Sequence, residues 1–528
     1  MRIKEKLQHI IKNSLTKLDI DKKTSEIIIE SSKDKKSDYY TNIAITISKD
    51  LHKKPEEIAE ILKNIIKDDI IEKIEIEYPG ILHIFLNKKN LLNGISEIIK
   101  KNINYGKSNI GESRKINIDF INKNFTNKLS IESLYNAIYG DNLSRILKYN
   151  GFEISKELYI DDTSEDIEKI SNIVKERYIN ICDSINSTIL NSNENLDIRD
   201  TANVIYNLYG NTKKHEDINY FKKEEITISL DKRKKELDKY RINFDVYTNE
   251  QNLYDKGLID TTLDKLNKKG YTYFYDNKLW LKTTNYNDKE DRILIKEDGT
   301  YTYILPQIAY YIDKLNLKYD GIISIYNKEW EKYKTPLKAI LNMLEYDINK
   351  IEVKVLPRIK IIKENQEIED INQLTNLNIN EIRYLFSSQK NNEEIVINMD
   401  ELENNNENTI DYIESTNIKI HQILKNYNKK ITKVNEFSTI DNELAYIILN
   451  KLYEFEEIVI KSGLKQMPHL ICNYLYEITQ LFNKYYETEK IITEDEVYTN
   501  ERLNLLLAIK IVINNAFNLI GIIPKEEL

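Results

Sequence analysis

The segment that most constrains this 528-residue chain lies between Arg114 and Asp162. A short apolar run, KINIDF, leads into a loop, then into helical periodicity from about Leu129 to Asn150, then into a second strand-like run, ELYIDD. Strand, crossover helix and strand in that order pair in parallel, with the helix covering one face of the sheet. A Rossmann-like nucleotide domain begins in this way. Two more buried-strand candidates, GIISIYN (321–327) and IEVKVL (351–356), flank a helix and continue the α/β pattern.

A chain of this length exceeds one hydrophobic core, and its patterning divides it in three. Residues 1–110 read as a small α+β unit. Helical stretches at 3–18, 40–53 and 55–67 precede the strand-like IEKIEIEY and GILHIFL, which meet at Pro79–Gly80. Residues 111–395 read as the Rossmann-like domain, with an insertion at about 163–290 that is helical and rich in Lys and Asn up to about 240. YTYFYDNKLWLKTT reads as a hairpin, and ILIKEDGTYTYI as another turning at Asp298–Gly299. Residues 396–528 are helical in period after the loop ENNNEN, so an all-α bundle is expected there.

Composition narrows the functional classes. Hydrophobic residues are 41% and charged residues 31%, and no apolar run approaches the roughly 18 residues needed to cross a bilayer. The amphipathic start, MRIKEKLQHIIKNSLTKL, lacks the continuous apolar stretch of a signal peptide. Cys182 and Cys472 are too few for a disulfide framework or a cysteine zinc site, so a reducing cytoplasm is expected. The histidines, His9, His52, His83, His215, His421 and His469, show no metal-ligand spacing, and no metal is expected. Net charge is −9, and from Asp400 onward 13 Lys+Arg stand against 21 Asp+Glu, or −8. Such a segment suits a polyanion only if its basic residues gather on one face.

The run INIDFINKNFTNKLSIESLYNAIYGDNLSRILKYNGFEISKELYIDD (116–162) resembles the first half of the arginyl-tRNA synthetase catalytic domain. In that family an acidic strand enters an Asn-Pro-Thr-Gly-type loop, followed by His-Ile-Gly-His, a helix with Gly-Asp, and a Tyr-Ile-Asn-Asp-like strand. The resemblance continues through NFDVYTNEQNLYDKG (243–257), DRILIKEDGTYTYILPQIAYYIDKL (291–315) and LNMLEYDINKIEVKVLPRIKII (341–362). Near the C-terminus, KQMPHLICNYLYEITQLFNKYYE (465–487) and NNAFNLIGIIP (514–524) resemble the family's helical anticodon-binding domain. At the front, YYTNIAITISKDL with PGILHIFL resembles its N-terminal additional domain. The resemblance implies a class I Rossmann-type catalytic domain between an N-terminal α+β domain and a C-terminal helical bundle.

Against that family the ATP elements are altered. Activation places charge on phosphoryl oxygens, and a class I site stabilises it with preorganised donors. At the His-Ile-Gly-His positions this chain has Ser130, Ile131, Glu132 and Ser133, so both imidazoles are gone and a carboxylate replaces the glycine. Only KENQEIED (363–370) occupies the place of the Lys-Met-Ser-Lys loop, so from Lys363 to Asp370 the loop is expected to be deleted. Asn327–Glu331 aligns with Gly-Ala-Asp-His-His/Gln, and its small and histidine positions are replaced by bulky and acidic residues.

The implied arginine pocket is better kept, at Asp119, Asn124 and Tyr303, but Gln307 stands where the family has an aspartate for the guanidinium. Tyr474, Phe482, Asn483 and Tyr486 are the tRNA-facing candidates, although three of them also fit one helical face as core residues. At the start of that domain Tyr-x-His-Ala-Arg has become Ser415–Lys419. The expectation is a monomeric, synthetase-shaped protein that binds tRNA, a tRNA-like RNA or a protein partner and has lost ATP-dependent arginine activation. It would then need no cofactor. The alternative is an active, divergent arginine–tRNA ligase using ATP and Mg²⁺. A third reading is an enzyme that transfers from a charged tRNA it does not itself make.

Overall fold

The computed structural model describes residues 3–23, 26–31, 36–121, 129–183, 196–368, 370–374, 377–404, 410–434 and 436–526. Its centre is a five-stranded parallel sheet of Lys115–Asp119, Glu153–Ile160, Val246–Asn249, Gly321–Tyr326 and Ile351–Val355. The first strand lies in the middle, with the second and third on one side and the fourth and fifth on the other. Asn117, Ile118 and Asp119 are fully buried, as expected of a strand covered on both faces. The helix Ile131–Tyr149 crosses from the first strand to the second and is buried on nearly all sides. This switch helix carries Gly140 where a Cβ would lie 2.5 Å from the Phe120 ring, so only glycine lets the helix sit this close to the strand end.

The N-terminal unit is a four-stranded antiparallel sheet with helices Ile3–Thr16 and Pro55–Ile65 packed on it through Leu7, Ile11, Leu15, Ile58 and Leu62. The expected helix at 40–53 is corrected. Tyr39–Thr41 is a strand, registered against Leu82–Ile84, and only the short helices Ile43–Thr46 and Ser48–Leu51 follow it. Leu92, Ile95, Ile98 and Tyr105 belong to the core of the C-terminal helices, beside Leu452, Phe455 and Phe517.

The insertion is split by the third sheet strand, Val246–Asn249. Among the described residues its first part has three helices, Glu165–Cys182, Leu196–Tyr209 and Ile218–Lys239, with a small core around Tyr178 and Phe221. Its second part holds the expected hairpin, Thr272–Tyr275 with Lys278–Leu281, joined by Arg292–Ile295 in a three-stranded antiparallel sheet. The second expected hairpin shrinks to a single bridge between Ile295 and Tyr301, because Ile304 already begins a helix. The C-terminal bundle consists of Ile410–Asn426, Glu443–Leu464, His469–Thr488 and Glu496–Leu519. Strand Ile395–Asn398 pairs with Ile359–Lys363 and Met399 joins the core there.

Candidate nucleotide and amino-acid site

In an open parallel sheet, ligands enter the crevice beyond the strand C-termini where the strand order reverses. Here that point lies between Lys115–Asp119 and Gly321–Tyr326. The crevice collects Asp119, Ile121, the start of the switch helix, and Tyr326 to Trp330.

The switch helix begins at Ser130, whose backbone is extended and whose Oγ accepts from the Ser133 N–H at 3.2 Å; the two hydroxyl oxygens lie 3.0 Å apart. The seryl pair thus serves as an N-cap. Ser130→Ala is expected to cost about 1 kcal/mol of stability, read by denaturant unfolding; a cost near zero would leave the serines without this structural task. Glu132 stands in the first helical turn, where the unpaired backbone N–H groups favour negative charge. Its Oε2 accepts from Asn327 Nδ2 at 3.4 Å. Asn327 Oδ1 accepts from Asn136 Nδ2 at 3.1 Å, and Asn136 Oδ1 accepts from the Ile121 N–H at 3.0 Å. Ile121, a β-branched residue at φ 65°, is thereby held in a left-handed conformation at the strand end. A polar relay through two buried asparagines so links the central strand to the Glu132 carboxylate.

Tyr303 and Gln307 lie one turn apart at the start of helix Ile304–Asn316, and the fold brings them against Tyr326, Trp330 and Tyr333. Trp330 stacks on Tyr326 at 4.9 Å and 22°, while Tyr333 meets the edges of Tyr303 and Trp330 at 4.6 and 5.1 Å. The Tyr326 hydroxyl donates to Gln307 Oε1 at 3.4 Å. Burial, reinforced by its bond with Tyr333, pushes the Tyr303 hydroxyl well above the ordinary tyrosine range. A small cavity of about 30 Å³ remains among these side chains.

Asp119 is fully buried, and its Oδ2 accepts from Lys314 Nζ and Ser324 Oγ, each at 2.5 Å. Lys314 Nζ also lies 3.6 Å from Glu157 Oε2. Asn124 lies outside the described residues. Between Lys363 and Ile368 the chain forms a tight hairpin, Ile359–Lys363 with Gln366–Ile368. Glu364 and Asn365, at φ 52° and 61°, make its two-residue turn. Asp370 then bridges to Ser130.

Two of the tRNA-facing candidates are corrected. Tyr474 is 1% and Phe482 0% exposed, both inside the C-terminal core, so neither side chain reaches a surface. Asn483 donates to Tyr412 and Thr416 and accepts from Lys419. Only Tyr486 is exposed, with Lys419 Nζ 5.2 Å from its ring centre. His469, read as a structural hydrogen-bonder, is buried with its Nδ1 unpaired. The reading of the sequence missed Lys314, Asn136, Tyr326 and Tyr333. Lys314 could have been found, since it follows Gln307 by seven residues on the same largely apolar helix face.

Among the described residues no group of three or more His, Cys, Asp or Glu side chains is arranged to hold a metal ion, and no helix is long and apolar enough to cross a membrane. A parallel sheet with its crevice at the switch point, set between a small sheet domain and a helical bundle, is the architecture of a class I aminoacyl-tRNA synthetase. Three family models match in order along the chain: the arginyl-tRNA synthetase N-terminal domain at 5–86, the class I (R) tRNA synthetase catalytic domain at 94–356, and the DALR anticodon-binding domain at 413–528. The chain belongs to the arginyl-tRNA synthetase family. It is 29% identical over 527 residues to the arginine–tRNA ligase of Bacillus pumilus, covering 95% of this chain and 94% of that one. To the Bacillus subtilis arginine–tRNA ligase it is 28% identical over 551 residues, covering 100% and 99%. The arginyl-tRNA synthetase of Thermus thermophilus superposes with a TM-score of 0.76 at 16% identity over all of both chains. That of Plasmodium falciparum gives 0.76 at 19%, over 100% of this chain and 99% of its own.

Proposed function

We propose that this protein binds tRNA or a tRNA-like RNA on a synthetase scaffold without activating arginine with ATP. The carrying observation is Glu132. Its carboxylate stands in the first turn of the switch helix, tethered by Asn327, where an incoming phosphate would seek the same N–H groups. Two anions there repel, and the site offers no histidine at 130 or 133 to neutralise the developing charge. Loss of one such donor costs about 10²–10³ in rate. The site residues therefore do not fit ATP.

Two further features support the reading. Trp330, stacked on Tyr326, occupies the space beside Tyr303 and Gln307, and Gln307 brings no charge for a guanidinium. The turn at Glu364–Asn365, in the place of the family's Lys-Met-Ser-Lys loop, is two residues long and too short to fold over a nucleotide. RNA binding rests on family membership and on the three collinear domains.

Arginine-dependent ATP–pyrophosphate exchange, together with arginine charging of total tRNA at micromolar protein, tests the first half. Exchange and charging are expected to equal those of a heat-denatured control. Either signal above that control would mean other residues have replaced the altered donors, and the reading would fail. Retention of total tRNA by the folded protein tests the second half.

A further inference from the structure

We propose that two copies of this chain pair through the free edge of the hairpin Thr272–Leu281, joining their three-stranded sheets into one. The strand Thr272–Tyr275 is the outer strand of its sheet, with Lys278–Leu281 on its inner side. Asp276 and Asn277, at φ 51° and 55°, make a two-residue turn of the mirror-image type, closed by Tyr275 and Lys278 as a hydrogen-bonded pair. Bonded and non-bonded pairs alternate along an antiparallel ladder. Tyr271, Tyr273 and Tyr275 therefore direct their backbone groups inward, and the Lys282 N–H donates to the Tyr271 carbonyl at 2.9 Å in keeping with that order. The N–H and C=O groups of Thr272 and Phe274 point the other way, off the edge.

Such an edge is an open template for another strand, and sheet proteins ordinarily blunt it with lysine, proline or a bulge. The strand Thr-Tyr-Phe-Tyr holds neither residue, and its register against Lys278–Leu281 is unbroken. Two of its rings also project beyond the core, Phe274 at 75% and Tyr275 at 68% exposed.

Self-complementarity selects a second copy. In a two-fold contact each residue meets its partner twice, once from either side. Antiparallel pairing about an axis at Tyr273 sets Thr272 of each copy opposite Phe274 of the other, so every outward N–H and C=O of these residues finds a partner. Tyr273 then lies beside its own counterpart and Tyr275 beside Tyr271, and aromatic cross-strand pairs are favourable. The strand itself carries no charge. At its tip Asp276 pairs with Lys278 at 3.5 Å, and at its foot Lys269 pairs with Glu345 at 2.7 Å beside the exposed Lys268. Neither end carries the acidic excess of the chain, whose net charge is −9. A strongly charged partner finds no counter-charge along this strand.

The contact is small. The two projecting rings of each copy supply about 600 Å² over both copies, against about 1,200 Å² for a stable interface. The dimer is therefore weak, with a Kd on the order of 10⁻⁵–10⁻⁴ M, and the chain passes from monomer to dimer with concentration.

Sedimentation velocity of the full chain from about 1 to about 200 µM brackets that Kd. The sedimentation coefficient of the parent is expected to rise with concentration toward that of a dimer. Phe274→Lys, the blunting residue of natural edges, is expected to weaken association at least about tenfold. Because Phe274 is exposed, this variant folds like the parent. Leu464→Lys, at a side chain 61% exposed on helix Glu443–Leu464, is the control and should change nothing. Hydrogen exchange at the Thr272 and Phe274 amides should slow as concentration rises, while Tyr273 and Tyr275, already bonded inward, stay as they were. A parent that remains monomeric throughout overturns the proposal. So does a dimer that Phe274→Lys leaves intact, or one that Leu464→Lys weakens equally.

Discussion

Lys314→Met is expected to destabilise the fold by about 3–5 kcal/mol, because it leaves buried carboxylates without their cation. Lys314 is 2% exposed, 2.5 Å from Asp119 Oδ2 and 3.6 Å from Glu157 Oε2. Methionine keeps the length and apolar stem of lysine, so packing against Tyr310, whose ring centre lies 4.3 Å from Nζ, is largely retained. The remaining partners of the two acids include the Ser324 and Thr248 hydroxyls and the Asn117 amide. Neutral donors do not replace a full positive charge in the interior. Urea unfolding measures the loss. Adding Asp119→Asn to Lys314→Met should recover part of it, since the pair acts as one unit. A single variant within 1 kcal/mol of the parent, on the scale of an exposed pair, would show that Asp119 does not depend on Lys314.

The same pair shows where sequence legibility ends. KINIDF and GIISIYN are legible as sheet strands because the runs are short and largely apolar, and IEVKVL, at the sheet's edge, because buried Ile351 and Val353 alternate with exposed Glu352 and half-buried Lys354. Within the stretch 40–53 the helical reading holds at Ile43–Thr46 and Ser48–Leu51 but not at its start, since Tyr39–Thr41 pairs with residues more than forty positions later and long-range pairing outweighs local periodicity. Packing across the boundary expected near 110 has a similar cause. Ile95 and Ile98 look like the end of a small domain until helix Gly94–Lys101 is seen docked on Glu496–Leu519. At the site, collinearity with the family set the register of Ser130, Glu132 and Gln307, so their chemistry could be weighed residue by residue. The contact of Asp119 with Lys314 spans 195 positions and no local rule announces it. Tyr474 and Phe482 show the reverse case: their helical spacing already pointed to the core, and family likeness had set them against a partner.

Arg383→Met is expected to cost a similar amount, about 3–5 kcal/mol, by a different route, the loss of a junction between distant segments. Arg383 is fully buried on helix Ile379–Ser387. Its Nε donates to the Ile520 carbonyl at 2.8 Å, Nη1 to the Tyr240 carbonyl at 2.6 Å, and Nη2 to Asp141 and Asn142 at 2.7 and 2.8 Å. The fork thereby ties the switch helix, the end of the helical insertion and the last turn of the chain to one point. Gly521 is part of the fit, because a Cβ there would lie 2.1 Å from Nη2. Burial lowers the guanidinium to about 10, offset in part by Asp141, and it stays charged at neutral pH. Burial pushes the Asp141 carboxyl up, but Arg383, Arg145 and Lys156 outweigh it and hold the carboxyl below its ordinary value. A depressed carboxyl stabilises the fold above its unfolded value, about 3.9, and that contribution is lost as pH falls through the folded value. Stability of the parent should therefore drop in acid below about pH 4, and Asp141→Asn should flatten that limb while lowering stability at neutral pH. Lysine at 383 supplies charge but not the planar fork, so Arg383→Lys should recover only part of the loss. Full stability in Arg383→Lys would mean that charge alone, and not the geometry of five donors, holds these three segments together.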